Sequence, residues 1–216
     1  LRAACDKGDL LAITIMGELY YNGYPHKEFL IPDPKKAVLC FRKAHDKGVS
    51  RATAGWAQAL MEGKGCPQNI PKAQGLLESI TDKEPLAKVS LALLYKKGLI
   101  GQDKSDIERH DIAMNLLREA IAKECAQAHT QLGIIYENGE RVPRNLGYAF
   151  SCYEKASTLG DPHARTRLGY LYKNNQLPHD IQLSPEKRLE KAFSCYQSGH
   201  NSGDATSTYY LFTFYN

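Results

Sequence analysis

The chain has 216 residues, 43% of them hydrophobic and 24% charged, with 28 basic against 24 acidic side chains and a formal net charge of +4. That balance suits a folded, solvated helical protein, and the cations lie among carboxylates without forming a stripe, so no nucleic acid is expected as a partner. No apolar run approaches the roughly eighteen residues that a membrane span needs.

Taken in order, the segment RAACDKGD lines up with RKAHDKGV (residues 42–49), so residues 1–11 read as the end of a preceding helix. From there a two-helix unit recurs. Its first helix, called A, is marked by Ala12, Ala52, Ala87, Ala128, Ala164 and Ala205, at intervals of 40, 35, 41, 36 and 41 residues. Four places after each alanine stands Met16, Trp56, Leu91, Leu132, Leu168 or Tyr209. The next position is small (Gly17, Ala57, Ala92, Gly133, Gly169) until Tyr210 breaks the rule. Spacings of i, i+4 and i+8 place these residues on one helical stripe. A glycine inside the stripe predicts close approach of a neighbour, since it otherwise disfavours helix by ~1 kcal/mol. Gly23, Gly63, Gly98 and Gly139 then read as C-terminal caps, with Asn175 in that place in the fifth unit.

The second helix, B, carries Ala37, Ala73, Ala113, Ala149 and Ala192, with Phe41, Leu77, Leu117, Tyr153 and Tyr196 four residues later. Asp161 and Pro162 read as an N-cap and first-turn proline that open the next A helix. The expected organisation is one array spanning residues 1–216: repeats 12–51, 52–86, 87–127, 128–163 and 164–204, then a terminal A helix over 205–216. From cap to B-helix alanine the separations are 14, 10, 15, 10 and 17 residues, so units one, three and five carry longer A-to-B loops, including YPHKEFLIPDP and NQLPHDIQLSP. These are read either as drift in tolerant loops or as a binding rim.

The segments AHTQLGIIYENG and AFSCYEKASTLG carry the pattern most fully, and it resembles the Sel-one-like repeat, a relative of the tetratricopeptide repeat. The resemblance covers essentially the whole chain. It implies an all-α, right-handed α/α superhelical solenoid of helix-turn-helix repeats that acts as a non-enzymatic scaffold in signalling, host interaction or complex assembly. The alternative reading is an enzyme-inhibiting or envelope-remodelling module that works through the long A-to-B loops. Cysteine-rich relatives carry one disulfide per repeat, which needs two cysteines in each unit. Here Cys40, Cys152 and Cys195 share one repeat position in different units, and read as small buried apolar residues. Cys5, Cys66 and Cys125 follow no repeat position and are expected to be free thiols. With no N-x-[ST] site present, this leans toward a reducing compartment.

Little chemistry is expected. The seven histidines show no H-x3-H or H-E-x2-H spacing and no C-x2-C occurs, so neither metal nor other cofactor is predicted. Gly63-Lys64-Gly65 lacks the rest of a phosphate loop and reads as a turn. No catalytic residue and no small-molecule substrate are expected, which leaves surface. In relatives of this kind helix A lines the concave face, and the resemblance assigns to it the positions two, six and nine after the landmark alanine. The partner-contacting candidates are Glu18, Tyr21, Gln58, Met61, Val89, Leu93, Lys96, Ile134, Glu137, Tyr170 and Lys173. The apolar middle of this set suits a peptide or helix from another protein; the competing reading is that these side chains complete the packing between repeats.

Overall fold

In the computed structural model, residues 1–23, 32–178 and 181–215 are described, and they form twelve helices and no strand. The A helices are α2 (Leu10–Asn22), α4 (Ser50–Glu62), α6 (Pro85–Lys96), α8 (Ala126–Asn138), α10 (Pro162–Lys173) and α12 (Ala205–Tyr215). The B helices are α3 (Pro34–His45), α5 (Ile70–Glu78), α7 (Asp106–Ile121), α9 (Leu146–Thr158) and α11 (Pro185–Asn201), with the short α1 (Arg2–Asp6) before them. The chain divides into two compact units, Leu1–Leu116 and Leu117–Asn216.

Local chemistry fixes where the helices begin. Asp33, Asn69, Asn145 and Ser184 cap α3, α5, α9 and α11, each side chain accepting from the backbone N–H three residues on at 2.9–3.3 Å. Ser105 and Glu108 form a reciprocal capping box at the start of α7. Asp161 accepts from the backbone N–H of His163 at 3.2 Å, and Pro162 takes the first turn of α10 as its missing N–H permits. At the other ends, Gly63 and Gly139 close α4 and α8 in the left-handed conformation, and Asn175 takes it at φ 54° in the fifth unit.

Packing explains the small residue of each A helix. A Cβ added to Gly133 would stand 2.5 Å from the Tyr153 ring, and the same construction at Gly17 and Gly169 meets Phe41 and Tyr196 at 2.7 Å. Units with an aromatic on helix B therefore carry glycine on helix A. Where helix B offers Leu77 or Leu117, alanine is accommodated at residues 57 and 92. Each ring packs against the glycine of its partner helix and is almost fully buried, which stabilises the hairpin by roughly 1.5–3 kcal/mol.

In the first unit the core gathers α2 to α6 around Phe41, Trp56, Leu77 and Leu94. In the second it gathers α9 to α12 around Phe150, Tyr153, Leu171 and Tyr196. The landmark alanines are buried as expected with one correction. Ala205 is exposed, and Ser207 fills the alanine's place at 0% exposure, with Leu211 buried four residues later. The sixth A helix thus runs two residues later than its alanine suggests, because the capping Asp204 sets where the helix starts. Tyr209, at 65% exposure, faces away from the core that the alanine register assigned to it.

Of the long loops, residues 24–31 lie outside the described residues, as do 179 and 180. The third A-to-B loop is folded back on α7: the Arg109 guanidinium donates to the carbonyls of Lys104 at 2.7 Å and Gly101 at 3.3 Å, and pairs with Asp106. None of the six cysteines is disulfide-bonded. Burial pushes the Cys152 and Cys195 thiols up to about 11, as expected of side chains packed in apolar surroundings.

Candidate functional site

In the second unit the A helices α8, α10 and α12 form a groove of about 600 Å³. Its pattern is regular. Gln127, Gln131 and Ile134 lie at i, i+4 and i+7 on α8, and His163, Arg167 and Tyr170 hold the same three positions on α10. Thr206 and Tyr210 continue the first two on α12 once its register is corrected. The groove therefore has apolar walls of Ile134, Tyr170 and Tyr210 with amide, hydroxyl and guanidinium groups between them. The Gln131 amide and the Thr206 hydroxyl make no hydrogen bond within the described chain.

Beneath it lies a buried polar layer. The Thr130 hydroxyl donates to the Asp161 carboxylate, and Thr166 donates to Asp204 at 2.6 Å and shares a 2.5 Å contact with Ser207. Each threonine thus reaches the capping aspartate of the next A helix. Burial alone pushes the Asp204 carboxyl up, but hydrogen bonds from Thr166 and Ser207, with the neighbouring His163 imidazole, hold it below the ordinary carboxylate range. His163 Nδ1 lies 3.1 Å from Asp204 and is itself mostly exposed. The Glu137 carboxylate accepts from the Tyr153 hydroxyl at 2.5 Å and has the Arg167 guanidinium at 3.7 Å. Burial, then this bond, push the Tyr153 hydroxyl well above the ordinary tyrosine range.

Of the residues singled out from the sequence, Ile134 and Tyr170 line this groove, and Lys173 sits beside it with its ammonium 4.9 Å from the Phe214 ring and 3.2 Å from the Thr213 hydroxyl. Glu137 is buried, not displayed. In the first unit Tyr21 and Val89 are also buried, at 3% exposure each, and correct the expectation of an open face there. Tyr21 donates to Glu62 at 2.7 Å and lies under the Lys64 ammonium. Val89, like Thr14, Thr130 and Thr166, occupies the position two after the alanine, and all four are buried. Glu18 is bound bidentately by Arg51 at 2.5 and 2.7 Å, which bridges α2 to α4. Gln58 is exposed and donates to Glu62 at 2.9 Å, while Met61 packs partly against the core. Leu93 and Lys96 are half-buried on α6.

The sequence reading missed Gln127, Gln131, His163, Arg167, Thr206 and Tyr210. A signal was present in the positions one before and three after the landmark alanine, which fall on the same stripe as the position six after. For Tyr210 that signal was hidden by the two-residue register slip.

The family model described as Sel1 repeat matches residues 10–49, 50–83, 85–124, 126–161 and 162–184. Among curated proteins, the mouse DAP3-binding cell death enhancer 1 is 32% identical over 175 residues, covering 65% of this chain. The chain spans about a third of that relative's length, 34%. Among solved structures, a Sel1 repeat protein of Oxalobacter formigenes superposes with a TM-score of 0.60 at 21% identity, covering 92% of this chain and 75% of its own. A Sel1 repeat protein of Klebsiella pneumoniae gives 0.60 at 20% identity, covering 98% and 95%. At these identities the superpositions show the shared all-α solenoid fold and nothing further.

Proposed function

The chain belongs to the Sel1 repeat family, whose members mediate protein–protein interactions, and on that premise we propose that it is a non-enzymatic scaffold holding a segment of another protein in the α8–α10–α12 groove. The observation that carries the reading is the groove's composition. Three apolar side chains come from three successive A helices, Ile134 and Tyr170 from one repeat position and Tyr210 from another, with an unengaged amide and hydroxyl beside them. Anchors of this kind recognise a peptide through buried apolar contacts and a few orienting hydrogen bonds. The supporting layer of Thr–Asp contacts fixes the helices in advance, so little conformational freedom is lost on docking. Beneath the groove Glu137 holds Arg167 through an ion pair, while Lys173 is engaged with Thr213 and Phe214.

The mouse relative is named for binding DAP3, and DAP3 or its counterpart is accordingly the first partner to test. Purified DAP3 is expected to bind the wild-type chain, and the double variant Ile134→Asp, Tyr170→Asp to lose that binding while keeping its helical circular dichroism. Undiminished binding by the folded variant would remove the groove from the interaction. The loop-based reading makes the opposite forecast: shortening the loop between Gly98 and Asp106 would abolish binding, and the groove variant would retain it.

A further inference from the structure

A second recess, of about 290 Å³, lies in the first unit where α3, α4 and the segment entering α5 meet. It is built around Trp56, the chain's single tryptophan, which stands where the other complete repeats carry Met16, Leu91, Leu132 and Leu168. The indole is 8% exposed. One neighbour is the His45 ring, 5.0 Å away and anchored through Nδ1 to the Thr53 hydroxyl at 2.8 Å. The others are two cations: the Arg42 guanidinium at 5.5 Å and the Lys72 ammonium at 4.6 Å from the ring centre.

Neither cation has a carboxylate within ion-pair distance among the described residues, whereas Arg51, Arg109, Lys36 and Lys104 each have one. Contact with an aromatic face positions a cation without neutralising it, and two like charges drawn to one ring repel each other. An anion between them removes that repulsion. The donors that remain define its chemistry. The backbone N–H of Asn69 is bonded to the Leu60 carbonyl at 2.9 Å, that of Lys72 to the Asn69 side chain at 3.0 Å, and the Gln68 amide to the Met61 carbonyl at 2.8 Å. The charged donors among the lining residues are a planar guanidinium fork and one ammonium, a set that suits the two oxygens of a carboxylate. Val38, Leu60 and Pro67 supply apolar walls for a methylene stem.

We propose that this recess binds an acidic side chain of a protein partner, its carboxylate held by Arg42 and Lys72 beside Trp56 and its stem lying against Val38, Leu60 and Pro67. The site is separate from the α8–α10–α12 groove and does not depend on it.

Trp56 makes the test direct, because all tryptophan fluorescence comes from the site. The full chain is titrated at low salt with a blocked Ala-Glu-Ala peptide, its Ala-Gln-Ala counterpart and inorganic phosphate. A saturable change in emission is expected with the glutamate peptide alone. Arg42→Gln or Lys72→Gln should weaken its apparent affinity about fivefold each, as for exposed ion pairs, and the double variant should abolish it with helical circular dichroism unchanged. The Ile134→Asp, Tyr170→Asp variant should respond as wild type, so failure here and failure of the groove are distinguishable. No response to the glutamate peptide, an equal response to the glutamine peptide, or a stronger response to phosphate would each overturn the proposal.

Discussion

The two units solve the same packing problem with different side chains on equivalent positions. In Leu1–Leu116 the space between α2 and α4 is bridged by the Arg51–Glu18 ion pair, and α4 starts at Val49, which offers no side-chain cap. In Leu117–Asn216 the residue equivalent to Glu18 is Ile134 and that equivalent to Arg51 is His163, which turns instead to Asp204. The space that is bridged in one unit is a groove in the other. Val49's counterparts are Asp161 and Asp204, so successive A helices are tied through buried hydrogen bonds from Thr130 and Thr166. An open face and a polar foundation thus occur together, and a bridged face and an apolar junction together. A groove left open needs its floor positioned by something other than a bridge across it.

The largest expected effect tests the glycine–ring contact. Gly133→Leu should lower stability by about 1–3 kcal/mol or more, because the buried Tyr153 ring already occupies the new side chain's space. Ala57→Leu, opposite Leu77 in the first unit, should cost less, and thermal melts of the two variants check the ranking.

Next, Asp204→Ala should cost about 1–2 kcal/mol by removing both a cap and the partner of Thr166. Because the Asp204 carboxyl titrates below its ordinary value of 3.8, its contribution is complete above that pH and is lost as pH falls through the lower folded value. Amide exchange in α12 should therefore accelerate in that acidic window, and the acceleration should be absent in Asp204→Asn. The junction at Val49 should show no comparable loss.

A smaller gain is expected from Lys173→Glu. The Tyr196 hydroxyl is buried without a hydrogen-bond partner among the described residues, while its counterpart Tyr153 donates to Glu137 at the position equivalent to Lys173. Supplying that acceptor should raise stability by about 0.5–1 kcal/mol, which chemical denaturation can resolve. An unchanged midpoint would mean that the lost Lys173 contacts to Thr213 and Phe214 cancel the new bond.

Smallest in stability is the exchange of the two faces. Ile134→Glu with His163→Arg should recreate the bridge of the first unit and shift stability by less than about 1 kcal/mol, since such a pair is largely solvated. The same double variant should lose DAP3 binding, so pairing the melt with a binding assay separates a closed groove from a damaged fold.

The helical hairpins were legible from the sequence because burial imposes a spacing that no surface residue disturbs: the alanine, the apolar residue four places on, and the glycine facing a ring. The partner surface was less legible. Positions two and nine after the alanine look exposed on an isolated helix, yet the start of the next A helix covers the former at Thr130 and Thr166. Tyr21 and Glu137 at the latter are drawn into bonds with Glu62 and Tyr153, residues 41 and 16 positions away in the chain. The register of α12 was misread because alanine is a weak landmark, and a capping aspartate a strong one, when the two disagree by two residues.

The Thr–Asp contacts also have a direction. Each hydroxyl belongs to one A helix and each carboxylate to the first turn of the next, so melting of α10 strips α12 of its anchor, whereas fraying of α12 leaves the Asp161 start of α10 whole. Loss of order in this half of the molecule should spread toward the C-terminus more readily than back from it, as a zipper opens from one end.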